Sequence, residues 1–169
     1  KIERKIIKMT ILGNMAVGKT SICNRILNLG FREGTLYTIG SDKMQSKMKM
    51  RDGKEMKIIL WDTAGQERFH SIAVSSIKNA QSIIVAFDVT NEESFKDVNR
   101  WLEEIKSVSA DVPIALFGNK CDVDESQRKI SKEQGEELAQ KLSVKYFETS
   151  AKKDIGIKEG FEEVANEGQ

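Results

Sequence analysis

Gly13-Asn14-Met15-Ala16-Val17-Gly18-Lys19-Thr20 has the spacing G-x-x-x-x-G-K-[ST] and directly follows the apolar run Ile6–Leu12. In that setting the spacing builds a phosphate-binding loop. Two glycines let the backbone turn back on itself, so that successive N–H groups from Met15 through Ala16, Val17 and Gly18 face a phosphate chain. The helix opening at Lys19, Thr20 and Ser21 adds its positive end. Lys19 then reaches the β- and γ-phosphates. The Thr20 hydroxyl suits one coordination position of Mg²⁺, a small hard ion that takes oxygen ligands and keeps several waters.

Three further patterns each follow a strand-like run. Trp61-Asp62-Thr63-Ala64-Gly65-Gln66-Glu67 would place Asp62 near the metal through a water, bring the Gly65 backbone close to a γ-phosphate and let Gln66 orient an attacking water. Asn119-Lys120-Cys121-Asp122 supplies a carboxylate that can accept from N1–H and the exocyclic amine of guanine together. Adenine offers no such donor pair, and an unpaired buried acceptor costs about 1–3 kcal/mol. Asp122 is therefore the expected determinant of base choice. Thr149-Ser150-Ala151-Lys152 can present the Ala151 N–H to guanine O6 and lay the Lys152 stem on the ring, with Phe31 stacked at the ring edge.

The elements that must hold these residues are legible in the hydrophobic pattern. Runs at Ile6–Leu12, Lys57–Trp61, Ser82–Phe87, Ile114–Gly118 and Val144–Phe147 are mostly too uniformly apolar to have a wet face, which predicts buried parallel strands. Helical spacing lies between them: Ile22, Arg25, Ile26 and Leu29; then Phe95, Val98, Leu102 and Ile105 on a helix over 92–109 after a cap at Asn91; then Leu138 and Leu142; then Ile157, Phe161 and Val164. Met44, Ser46, Met48 and Met50 alternate before Asp52-Gly53, predicting an antiparallel hairpin with Lys57–Trp61. Strands alternating with helices give an α/β fold with ligands at the carboxyl ends of the strands.

With 169 residues the chain is long enough to bury about 68–70% of its unfolded surface as one domain. Lys and Arg number 27 against 26 Asp and Glu, a net charge of +1, which argues against an electrostatically driven nucleic-acid binder. Cys23, Cys121 and the lone His70 form no metal or disulfide framework, and both thiols are expected reduced and intracellular. No run of 18 apolar residues suggests a membrane span, and Lys1-Ile2-Glu3-Arg4 is too polar for a signal peptide.

The motifs in this order resemble the Ras superfamily of small GTPases over essentially the whole chain, and within it the Rab family. Thr38-Ile39-Gly40 with Asp42, Trp61 through Phe69, Asp88-Val89-Thr90-Asn91-Glu92-Glu93-Ser94-Phe95 and Glu148-Thr149-Ser150-Ala151-Lys152 carry the likeness. The resemblance implies a three-layer fold with a six-stranded, mostly parallel sheet and one antiparallel edge hairpin strand. It implies GTP/GDP and Mg²⁺ as ligands, slow GTP hydrolysis, and a switch in vesicle traffic read by effector, exchange-factor and GTPase-activating proteins. Residues 32–42 would be switch I and 63–78 switch II. Thr38 would join Thr20 as a magnesium ligand and sense the γ-phosphate. Gln66, Lys19 and Thr38 are the expected catalytic residues. A monomer is expected, cytoplasmic and peripheral on an intracellular membrane through a lipidated tail.

Three departures qualify the likeness. Met15 stands where Ras-type members have a small residue; it either crowds the γ-phosphate side, leaving a nucleotide-dependent binding module with impaired hydrolysis, or points to solvent. Of the hydrophobic effector triad only Trp61 matches, with Lys43 in place of Phe and Ser76-Ile77 in place of two tyrosines; Ser41 also replaces Val. No cysteine lies near Gln169, for which truncation is the expected reason. An ATP-using P-loop kinase is the remaining alternative, opposed by Asn119-Lys120-Cys121-Asp122.

Overall fold

The computed structural model describes residues 5–28, 37–38, 43–49, 53–62 and 70–168. Their order is β1 (Lys5–Gly13), α1 (Lys19–Asn28), β2 (Tyr37–Thr38), β3 (Lys43–Lys49), β4 (Glu55–Asp62), α2 (His70–Asn79), β5 (Ser82–Asp88), α3 (Glu92–Lys96), α4 (Val98–Val108), β6 (Ile114–Asn119), α5 (Lys132–Leu142), β7 (Lys145–Glu148) and α6 (Ile157–Glu167). The strands form one sheet in the order β2-β3-β4-β1-β5-β6-β7. From β4 to β7 the neighbours are parallel, while β3 runs antiparallel to β4 and β2 antiparallel to β3.

Burial explains why the apolar runs became parallel strands. Every residue of β5 and β6 is buried, because helices cover both faces. The alternation sends Ile84, Ala86, Ala115 and Phe117 into one core with Ile22, Cys23 and Ile26 of α1 and Phe161 and Val164 of α6. It sends Ile83, Val85, Phe87, Ile114 and Leu116 into a second core with Ile77 of α2, Val98, Trp101 and Leu102 of α4, and Ala139 of α5. The parallel register then brings the ends of five strands to one edge, pairing Ile11 with Asp62, Gly13 with Ala86, Asp88 with Asn119 and Gly118 with Glu148. The phosphate loop and the motifs at Asp62, 119–122 and 149–152 leave the sheet there.

The structure differs from the sequence reading in four places. β7, expected among the buried strands, has no buried residue, because it is an edge strand with a single neighbour among the described strands. The sheet has seven strands among the described residues rather than six, because the two-residue β2 pairs Tyr37 with Gln45 and Thr38 with Met44; β3 is therefore not the edge. The helix expected over 92–109 is two helices that meet at Asp97. Asn91 caps the first as expected, accepting from Ser94 N–H, but the Asp97 carboxylate makes no cap bond to α4. Finally, 70–79 forms α2, for which no helical pattern was read, and its Ser76 and Ile77 are buried. The effector-surface comparison at 76 and 77 is corrected accordingly: both face inward, and Ile77 belongs to the second core.

Gly160 in the middle of α6, which nothing in the sequence explains, has a packing reason. A Cβ there would lie 2.5 Å from Phe117 Cε1 and 3.1 Å from Phe147 Cγ. Alanine normally gains about 1 kcal/mol over glycine inside a helix, yet Gly160→Ala is expected to lower stability by about 1–3 kcal/mol through overpacking. Urea unfolding checks it; a stabilised variant would contradict the packing.

Candidate functional site

β1 ends at Gly13, and the chain turns through residues 14–18 into α1. Gly18 has φ +100°, and a Cβ on it would meet Asn119 Nδ2 at 2.4 Å, so only glycine lets the loop pass this close to β6. Ala16 and Lys120 also take left-handed φ values, 65° and 67°, a conformation that costs non-glycine residues about 1–2 kcal/mol and that is concentrated at functional loops. The two strained residues touch: Lys120 Nζ donates to Ala16 O at 3.0 Å.

Lys19 is 3% exposed, and its Nζ donates to Gly13 O at 2.6 Å and Asn14 O at 3.0 Å. A buried ammonium held by two carbonyls of its own loop is a fixed positive charge at the mouth of that loop. The Asn14 side chain is held in turn. Its Nδ2 donates to Asp97 Oδ2 at 2.6 Å, and its Oδ1 accepts from Trp101 Nε1 at 2.9 Å. The carboxylate at the helix break thus reaches across to the phosphate loop, and Trp101, buried in the second core, also orients the loop.

Thr20 Oγ1 donates to Asp62 Oδ2 at 2.6 Å. A hydroxyl and a buried carboxylate side by side at the start of α1 are hard oxygen donors, and so small a protein set suits Mg²⁺, which draws its other ligands from water and phosphate. The residues fit the ion.

The base end is built from β6 and the turn after β7. Asn119 donates from Nδ2 to Val17 O at 2.9 Å, while its Oδ1 accepts from Thr149 Oγ1 at 3.2 Å and Ala151 N–H at 3.3 Å. One buried amide thereby ties three loops together. Lys120 pairs with Asp88 at 2.8 Å, and Asp88 accepts from Thr90 N–H and Oγ1 at 2.8 and 2.6 Å. Asp122 Oδ1 accepts from Ser150 Oγ at 2.7 Å. That hydroxyl, helped by the Asp122 backbone and by Lys152 and Lys153, holds the Asp122 carboxyl below the usual carboxylate range. It is ionised, an acceptor only, at neutral pH.

These groups enclose a cleft of about 440 Å³ lined by Gly18, Ser21, Asn119, Lys120, Asp122, Val123, Ala151 and Lys152. Seven of the eight were expected from sequence; Val123 was missed, having no polar atom to single it out. Because the depressed pKa of Asp122 keeps the acceptor form present throughout the usual carboxylate range and above it, and loses it only as pH falls through the lowered value, the affinity for guanosine, which has no phosphate to titrate, is expected flat from about pH 8 to about pH 5. Equilibrium binding across that range checks it, and a drop already near pH 6 would contradict the ionised acceptor.

Other expected residues are placed as follows. Met15 is 60% exposed and Val17 1% exposed, so the solvent-facing alternative for Met15 agrees with the structure. Phe31, Gly65 and Gln66 lie outside the described residues, as does most of 32–42, and for Thr38 only its backbone in β2 is described. Cys23 is buried in the α1 core and burial pushes its thiol well up; burial and then Glu148 do the same to Cys121. Both are therefore held as thiols rather than thiolates at neutral pH. Sequence reasoning also missed Arg25, whose Nε donates to Ala151 O at 2.7 Å and Nη2 to Lys152 O at 3.1 Å. Its signal was available: an arginine standing between Ile22 and Ile26 in an otherwise apolar helical stripe.

Among the described residues no helix is long and apolar enough to cross a membrane. A family model described as the Ras family matches residues 8–169. The chain is 41% identical over 158 residues to the Ras-related protein Rab-3 of Caenorhabditis elegans, covering 93% of this chain and 71% of that protein. It is 39% identical over 163 residues to Rab-8A of Bos taurus, covering 96% and 78%, and 38% identical over 163 residues to Rab-13 of Rattus norvegicus, covering 96% and 79%.

Proposed function

The chain belongs to the Ras family, as a Rab-type small GTPase, and on that premise we propose which of its residues bind, read and cleave the nucleotide. It is a guanine-nucleotide switch that hydrolyses GTP to GDP and regulates vesicle traffic. The observation that supports the site assignment best is the single cleft in which Gly18 and Ser21 of the phosphate side meet Asn119, Lys120, Asp122, Ala151 and Lys152 of the base side.

In this reading Asp122 accepts from N1–H and the exocyclic amine of guanine. The Ala151 N–H, now at 3.3 Å from Asn119 Oδ1, donates to O6, and the Lys152 stem covers the ring. Asn119 and Lys120 act on the loops more than on the base, bonding Val17 O and Ala16 O and so setting the distance between base and phosphates. The loop amides of residues 15–20 and Lys19 Nζ bind the β- and γ-phosphates. Thr20, Thr38 and, through a water, Asp62 would hold Mg²⁺, which when bound offsets the charge developing on the transferred phosphoryl oxygens. Gln66 positions the attacking water, and Lys19, already desolvated, stabilises charge without reorganising. Phe31 and Gly65 complete the site at the ring edge and the γ-phosphate.

Loss of the γ-phosphate removes the contacts of Thr38 and Gly65, which is how hydrolysis changes the surface offered to effectors, exchange factors and activating proteins by 32–42 and 63–78. The same reading takes residues 1–169 as a single domain and a monomer, working at the cytoplasmic face of an intracellular membrane. Nothing favours the module with impaired hydrolysis: Lys19 is held by its own loop at Gly13 O, Thr20 and Asp62 lie side by side, and Met15 faces outward. Single-turnover assays should show slow conversion of GTP to GDP, a Met15→Gly rate within about twofold of it, and a Gln66→Leu rate lower by about 10²-fold. A Gln66→Leu protein as fast as the parent would remove Gln66 from the mechanism.

A further inference from the structure

α1 carries Lys19, Thr20 and Ser21 at its start, and Arg25 follows Ser21 by one turn on the same face. The Arg25 stem lies in the stripe set by the buried Ile22 and Ile26, which leaves its guanidinium aimed at the turn after β7. There it donates twice, to Ala151 O at 2.7 Å and to Lys152 O at 3.1 Å. The start of that turn is fixed by other bonds: Thr149 N–H to Gly118 O, Cys121 N–H to Thr149 O, and the reciprocal pair between Ser150 and Ile155, each at 2.9–3.0 Å. The two carbonyls after Ala151 N–H are the ones Arg25 holds. Pulling both toward α1 fixes the peptide planes on either side of Lys152 and, with the Ser150–Ile155 pair on the other side, the direction of the Ala151 N–H.

We propose that Arg25 is a positioning residue for base recognition: it holds the turn at Ala151 and Lys152 so that the Ala151 N–H faces guanine O6, and it ties the base end of the site to the helix that begins at the phosphates. Arg25 touches neither base nor phosphate. Its planar fork suits two neighbouring carbonyls, and a charged donor polarises the amides beyond them. This inference rests on the base-site reading above, in which Ala151 N–H donates to O6.

The test is nucleotide dissociation from the Mg²⁺-loaded full chain, measured for the parent, Arg25→Ala and Arg25→Lys with three probes. GDP has O6; inosine diphosphate keeps O6 and loses the exocyclic amine; 6-thioguanosine diphosphate keeps N1–H and the amine and has sulfur, a weak acceptor, in place of O6. Arg25→Ala should release GDP and inosine diphosphate about tenfold faster than the parent, the loss expected for charge-assisted hydrogen bonds. It should release the probe without O6 at the parent rate, and Arg25→Lys, keeping one ammonium donor, should fall between. An equal acceleration for all three probes, or none for GDP, overturns the proposal. If the parent holds the probe without O6 as tightly as GDP, the assignment of Ala151 to O6 has failed instead. Should Arg25→Ala not fold, Arg25→Lys carries the same comparison.

Discussion

Asp122→Asn is expected to cost about 10²- to 10⁴-fold in GDP affinity, as two hydrogen bonds to a charged acceptor at about 1.5–3 kcal/mol each are lost. The amide that replaces the carboxylate keeps one acceptor and gains a donor. Xanthine presents N1–H and a carbonyl where guanine presents N1–H and an amine, so the variant should favour xanthosine diphosphate over GDP. The exchange of preference separates recognition from damage, because a variant that merely distorts the cleft loses both ligands. Ser150 makes the experiment clean: its hydroxyl, 2.7 Å from Asp122 Oδ1, can donate to the amide oxygen as it does to the carboxylate. Competition with a fluorescent GDP analogue checks the result, and an Asp122→Asn protein that still prefers GDP would contradict the role given to Asp122.

The second large effect is at the other end of the cleft. Lys19→Met keeps an unbranched apolar stem, one atom shorter, and removes the charge. One ion pair near the surface of a protein is worth about 4 kcal/mol at 4 Å and an effective dielectric of 20, so GDP affinity should fall about 10³-fold. The variant also leaves Gly13 O and Asn14 O without the donor that now bonds both, and the loop itself should loosen. Guanosine, which has no phosphate, isolates the effect. Its weak binding should change little in Lys19→Met, and an equal loss for guanosine and GDP would place Lys19 in the scaffold rather than at the phosphates.

Much of this was legible in the residues because the fold repeats one device. Uniformly apolar runs mark strands covered on both faces, and a motif placed directly after such a run must emerge at the carboxyl edge of the sheet, where the register lines up Asp62, Asn119 and Glu148 with the end of β1 and β5. Roles for Asp122, Lys19 and Thr20 could be proposed from chemistry alone, since each is the residue type its proposed ligand atom requires. What stayed hidden depends on pairing across sequence distance. β2 has only two residues and no period to read. The break at Asp97 sits inside a continuous apolar stripe and shows only when its carboxylate is found bonded to Asn14. Arg25 and Trp101 act through a backbone carbonyl and a side-chain amide far along the chain, and no local pattern encodes such partners. Gly160 looked like a weakness in a helix until Phe117 and Phe147 were seen against it.

The central claim is that one cleft reads guanine with Asp122 and holds its phosphates with the loop from Gly13 to Thr20. The most direct measurement is the nucleotide content of the purified protein, released by acid and separated by ion exchange, before and after incubation with equal GDP and ADP in the presence of Mg²⁺. Stoichiometric guanine nucleotide with no adenine nucleotide is the predicted result. A protein that carries neither and acquires neither, or that takes up ADP as readily as GDP, would contradict it.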